Sequence, residues 1–307
     1  MPRNTRVLIP LLGFTLAGIL VTPTRGNACA CGCNVFTVGA RWNMPTMPGM
    51  GLSLQYDYMN QRTNWGNWNS APAGANSDQQ IRTHFVTLGL RGMASRDWGF
   101  MLEAPLWNRY FRTLDDDGNV ASAQHTSLGD ARVTGMYTGL SEDMSTGLQF
   151  GLKLPTGSFT ESLLDRDTQI GTGTTDLLLG GYRMNQEKGW GWFAQVMLQH
   201  ALDARQGYRP GDSFDAVLGV HYDGLLSSLP LVPMLQLAGS FRGIDSGNES
   251  DPDNTGYQRL YVVPGVEIVG ASHFTIYADL KIPVMTHVRG VQLVAPALVN
   301  LMMGYSI

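Results

Sequence analysis

Gly147-Leu148-Gln149-Phe150-Gly151-Leu152-Lys153-Leu154 alternates strictly: Leu148, Phe150, Leu152 and Leu154 share one face, and Gln149, Gly151 and Lys153 share the other. A period of two marks an extended strand with one apolar face, because successive side chains point to opposite sides of the pleat. His273 to Ile282 repeats it, with Phe274, Ile276, Ala278, Leu280 and Ile282 opposed to Thr275, Tyr277, Asp279 and Lys281. Neither stretch lays out a helical stripe.

Working outward from these two stretches, about twelve such segments follow one another, near 51–61, 81–93, 98–112, 129–140, 144–156, 174–184, 190–202, 213–223, 231–244, 259–268, 273–287 and 294–307. Their connections alternate in length. Residues 94–97, 141–143, 185–189 and 269–272 are tight and 224–230 is slightly longer, whereas 62–80, 113–128, 158–173, 203–212 and 245–258 are long and polar. Short turns on one side and long loops on the other predict an all-β, transmembrane antiparallel β-barrel of about twelve strands, with periplasmic turns and extracellular loops. Hydrocarbon leaves no partner for a free backbone N–H or C=O, so a sheet that crosses it must close on itself. A soluble β-sandwich also alternates, but segments of nine to eleven residues fit a tilted bilayer crossing better than an ordinary globular strand. Aromatic residues such as Trp98, Tyr137, Trp190, Tyr222 and Tyr305 stand near segment ends, where interfacial girdles belong.

Composition agrees. Of the 307 residues 15% are charged and 37 are glycine, and no apolar run beyond the leader is long enough for a membrane helix. Arg3 and Arg6 followed by the apolar Val7 to Val21 read as an export signal, with small residues before a cleavage point after Ala28 or after Ala30. The expected organisation is therefore a signal peptide at 1–28, a cysteine-containing periplasmic or lumen-entering segment at 29–50, and an outer-membrane barrel at 51–307. Cleavage removes Arg3, Arg6 and Arg25 and no acid, making the net charge of −4 three units more negative. Such a chain has no electrostatic basis for holding nucleic acid.

With apolar positions facing lipid, the opposite face supplies the lumen. The pore-lining candidates are Asp57, Arg91, Glu103, Arg109, Arg132, Lys153, Asp215, Arg242, Glu267, Asp279 and Lys281. Both signs of charge are present, which fits either a selective path for small solutes or a salt-bridged interior that braces the wall. Cys29, Cys31 and Cys33 fall on one side of an extended segment and offer at most three thiolates to a soft metal, or a thiol to a periplasmic redox partner. No other cofactor is expected. The acidic runs at 115–119 and 245–253 lack the closing glutamate of a twelve-residue calcium loop and read as solvated loops. No Gly-x-Ser-x-Gly motif accompanies the scattered histidines, so an enzyme is not expected.

Leu128-Gly129-Asp130, Gly151-Leu152-Lys153-Leu154-Pro155-Thr156-Gly157 and Gly171-Thr172-Gly173-Thr174-Thr175-Asp176 resemble the outer-membrane channel family associated with the meta-cleavage pathway of phenol degradation. The resemblance implies a barrel that passes small aromatic or hydrophobic compounds, and it carries over no substrate-binding residue. The cysteine run departs from that pattern. It motivates a second reading, a barrel that docks a multihaem cytochrome through residues 29–50.

Overall fold

The computed structural model describes residues 36, 38–115, 117–270 and 273–307. One antiparallel sheet closes on itself as a barrel of twelve strand positions. In chain order it comprises β1 (Gly49–Gln61), the small β2 (Thr63–Asn67) and β3 (Asn69–Ser70), β4 (Asp78–Met93), β5 (Trp98–Leu114), β6 (Val120–Leu128), β7 (Arg132–Tyr137) and β8 (Thr146–Lys153). The second half adds β9 (Asp176–Glu187), β10 (Trp190–Ala201), β11 (Ser213–Tyr222), β12 (Leu231–Arg242), β13 (Tyr257–Val269), β14 (Phe274–Val294) and β15 (Leu298–Ser306). The seam joins β1 to β15, from Gly51 opposite Ser306 to Met59 opposite Leu298, and the Ile307 N–H donates to the Met50 carbonyl at 2.8 Å.

The alternation read from the sequence becomes the inside and outside of this wall. Leu54, Leu88, Leu106, Leu148, Leu218 and Leu235 are exposed outward, while Asp57, Gln149, Gln195, Asp215 and Lys281 are buried inward. At the short-turn end Trp98 meets Tyr137 and Trp190 meets Tyr222, each pair 4.8 Å between ring centroids, as an interfacial girdle requires.

Two expectations are corrected. Residues 113–128 are not a loop: β5 runs to Leu114, turns at once, and returns as β6 with Tyr110 opposite Gln124. Likewise β14 does not stop near residue 287 but continues to Val294, where β2, from the first long connection, pairs with it. Most of β6 carries polar residues on both faces, and in the β14 extension Gly290 and a register irregularity interrupt the alternation while Gln292, Leu293 and Val294 are buried in succession, so the period-two signal fades in both.

The wall is broken once on the β5 side. β6 and β7 both pair with β5, Leu128 opposite Leu106 and Arg132 opposite Glu103, but residues 129–131 leave the ladder. Pro105 lies at this level, and its carbonyl accepts from the Gly129 N–H at 2.8 Å. A residue in a strand points its N–H and C=O to the same side, so the donor that proline lacks is missing where the ladder parts. Beyond β7 the wall continues with β8, which ends at Lys153, so among the described residues the far edge of β6 has no strand beside it.

Candidate functional site

The three sequence pieces that resemble the channel family are distant in the chain and meet at this break. Lys153 ends β8 facing inward, and its Nζ lies 2.9 Å from Asp130 Oδ2 and 3.1 Å from Asp176 Oδ2. Thr172 Oγ1 accepts from the same ammonium, and the Thr174 carbonyl completes its shell at 3.2 Å. Asp130 in turn receives the backbone N–H of Gly157 at 3.0 Å and of Thr172 at 2.9 Å. Thr156 bridges the missing rungs, donating to the Gly129 carbonyl and accepting from the Ala131 N–H, both at 2.8 Å. Gly157 and Gly171 must be small because their backbones touch: a Cβ at Gly157 would stand 2.8 Å from the Gly171 Cα. Sealing by side chains substitutes for the lost ladder. With Lys153, Asp130 and Asp176 all buried, one ammonium is shared by two carboxylates, and neutral donors such as the Gly157 N–H, the Thr174 hydroxyl and the Gln199 amide take up the rest of their bonding capacity.

Inside the break lies a cavity of about 130 Å³. Phe36, Phe85 and Trp107 form an aromatic side, with Phe85 5.6 Å from Phe36 and edge-on to Trp107 at 4.6 Å. The connection between β8 and β9 folds inward as its lid. Arg109 donates to the carbonyls of Thr168 and Gln169, the latter at 3.1 Å, and His125 of β6 meets Glu161 at 2.9 Å. Arg166 on this connection lies over the rings of Tyr208 and Phe159, 4.4 and 5.0 Å from their centroids. Beside it Asp167 is pushed well above the ordinary carboxylate range, first by burial and then by the neighbouring charges of Asp165 and Asp245.

Below the cavity, chain residues 38–48 run through the lumen. Gln195 accepts from the Gly39 N–H at 3.2 Å, Gln149 donates to the Asn43 carbonyl at 3.1 Å, and Arg91 donates to the Trp42 carbonyl while its guanidinium stacks 4.3 Å from the Trp42 ring. Trp42 seats against glycine: a Cβ at Gly304 would stand 2.5 Å from the ring, and one at Gly51 2.7 Å. Arg41 reaches Asp223 at 3.3 Å and Glu267 at 3.9 Å at the short-turn end. Two water-sized voids lie nearby, one of them lined by Trp42 and Asn43, and Glu103 lines both of them and the large cavity.

The lumen candidates do not share one site. Glu103, Arg109, Arg132 and Lys153 surround the large cavity together with Asp57 and Arg242, Asp215 lies by a smaller void, and Arg91 and Glu267 hold the N-terminal segment. Asp279 pairs with Lys281 at 2.8 Å, and Asp57 accepts from Gln55 at 2.8 Å and from Asn300. Cys29, Cys31 and Cys33 lie outside the described residues, and among those described no group of three His, Cys, Asp or Glu is placed to hold a metal. The acidic run at 245–253 is not uniformly solvated. Asp245 is fully buried, bonded by Arg242 at 2.8 Å, Tyr208 at 2.8 Å and the Gly211 N–H at 2.7 Å. Sequence reading missed Tyr208, Trp42 and Asn43, which sit in segments without a period; the acid and arginine of the mouth were visible, their meeting was not.

These features define a class: an outer-membrane-type barrel with a sealed wall break and an occupied lumen. An outer-membrane channel from Pseudomonas putida F1 has this fold, at 12% identity over 88% of this chain and 100% of that one, with a TM-score of 0.68. The β domain of the Bordetella autotransporter BrkA is more distant, at 12% identity, 85% and 100% coverage and a TM-score of 0.49. The Pseudomonas putida toluene transporter TodX stands at 10% identity, 92% and 94% coverage and a TM-score of 0.43. The likeness to the first shows the fold, which is that of bacterial outer-membrane proteins. No family model matches the sequence, and no curated protein does.

Proposed function

We propose that this chain is an outer-membrane channel for small hydrophobic or aromatic solutes. The observation that carries the reading is the aromatic-sided cavity of about 130 Å³ directly inside the wall break. A volume of this order takes one benzene-sized ring, and flat rings such as Phe36, Phe85 and Trp107 supply contact area without needing a polar partner. Residues 38–48 fill the lumen below, so the bore is not a continuous aqueous pore in this state, and the mixed charges inside serve largely to brace it. An apolar solute leaves the cavity either past a displaced N-terminal segment or sideways beside Asp130. The solved outer-membrane channel that shares the fold is consistent with transport.

Uptake of labelled toluene by cells that depend on this barrel tests the reading, with Trp107→Ala and Phe85→Ala as variants. Expected is uptake above that of cells lacking the protein, reduced in both variants, alongside low ion conductance of the purified chain in planar bilayers. Uptake no faster than in cells without the barrel would refute it.

A further inference from the structure

The outer face of β1, β4, β5 and β6 can be read in rows, because residues opposite one another in an antiparallel ladder share a face. Leu54, Leu88 and Ala104 form one row, and Tyr56, Val86, Leu106 and Leu128 the next. Toward the long-loop end come Tyr58, His84, Asn108 and Thr126, then Asn60, Arg82, Tyr110 and Gln124, then Gln80, Arg112 and Ser122. The first two rows are apolar but for the rim tyrosine Tyr56, and the last three are polar. The hydrocarbon boundary therefore falls at Tyr56 and Leu106, and Arg82 stands two rows and Arg112 three rows above it, at the depth of lipid headgroups.

That upper surface is one-signed. The three rows carry two arginines, a histidine, tyrosines and amides, and no carboxylate. The amides are engaged with each other: Gln80 donates to Asn60 at 2.8 Å, Asn108 to Thr126 at 2.6 Å, and Gln124 to Asn108 at 2.9 Å. Tyr56 meets His84 at 2.9 Å. The arginines are not so engaged. Arg82 lies 5.1 Å over the Tyr110 ring with its Nε buried and without a partner, and no described carboxylate pairs with it or with Arg112. They are diagonal neighbours on one face, a spacing of roughly 7–8 Å that two forks can close around one phosphate.

We propose that Arg82 and Arg112 form a binding site for the phosphorylated glucosamine headgroup of an outer-leaflet glycolipid, its acyl chains lying on Leu88, Val86 and Leu106. Guanidinium suits this role because its planar fork matches phosphate oxygens and stays charged. Tyr56, Tyr58 and Tyr110 flank the sugar at the interface, where amphipathic rings are stable.

The test uses the full purified barrel in detergent, titrated with bis-phosphorylated lipid A and read by native mass spectrometry. Expected is a one-to-one complex weakened about tenfold by Arg112→Gln and further by Arg82→Gln/Arg112→Gln, as fits lost charge-assisted contacts. Arg289→Gln, on another face, leaves it unchanged. Dephosphorylated lipid A, phosphatidylglycerol and inorganic phosphate are the comparison arms, and all three bind more weakly than bis-phosphorylated lipid A. Equal binding by the double variant, by dephosphorylated lipid A or by phosphatidylglycerol overturns the proposal, as does full competition by an equal concentration of inorganic phosphate. Heat-shifted gel mobility establishes that each variant is folded, and the exposed Arg112→Gln alone carries the test if the double variant is not.

Discussion

Lys153 and Asp130 meet at 2.9 Å across a place where the barrel has no backbone ladder, each buried and each held by further partners. A lone buried charge is costly, so removing one partner costs more than the pair contributes. Lys153→Met leaves Asp130 and Asp176 facing each other without a cation. We expect a loss of about 3–5 kcal/mol in urea unfolding from micelles, with faster proteolysis of the 154–175 connection. Lys153→Met combined with Asp130→Asn and Asp176→Asn recovers part of that loss.

Gly304→Val tests the seat of Trp42. The new side chain enters the space of the ring and displaces residues 38–48, while β15 keeps its pairing because valine suits a strand. Single-channel conductance should rise severalfold with heat-modifiable mobility retained. Trp42→Ala, which empties the seat from the other side, should act in the same direction.

The lid is expected to loosen as pH rises. Asp167 titrates above its unfolded value, so the folded state binds the proton more tightly and the associated stability is present at low pH and lost as pH rises through the raised value. Ionised Asp167 then opposes Asp165 and Asp245. Protease nicking between residues 158 and 172 should increase with pH in the native chain. In Asp167→Asn the increase should be largely abolished.

At the mouth, Asp245→Ala strips Arg242 and Tyr208 of a shared acceptor and frees the Gly211 N–H. Loss of one member of a buried pair predicts destabilisation of about 3–5 kcal/mol in micelles. Truncating Glu249 or Asp253, which are exposed, should change stability by less than about 0.5 kcal/mol.

The wall was legible because hydrocarbon on one side and a packed lumen on the other impose a strict alternation, as at Leu148 to Leu154. The inward direction of Lys153, Asp215 and Asp279 followed from the same pattern. Where that constraint lapses the pattern lapses too, which is why β6 read as loop and the stretch of β14 past residue 287 fell outside its expected strand. The convergence of Asp130, Lys153 and Asp176 was written in separate short motifs whose meeting depends on three-dimensional closure. Asp245 looked solvated because its partner Tyr208 is 37 residues away, and Trp42 gave no signal since eleven aperiodic residues inside a barrel resemble any linker.

The junction of β1 with β15 has a consequence for biogenesis. Its two strands are far apart in the chain, so the ring cannot be completed until β15 is available to β1. Until then Met50 to Gln61 is a bare edge, open to pairing with any passing chain. Closing the ring is therefore a late event of folding, which waits on pairing between two segments that lie far apart in the chain.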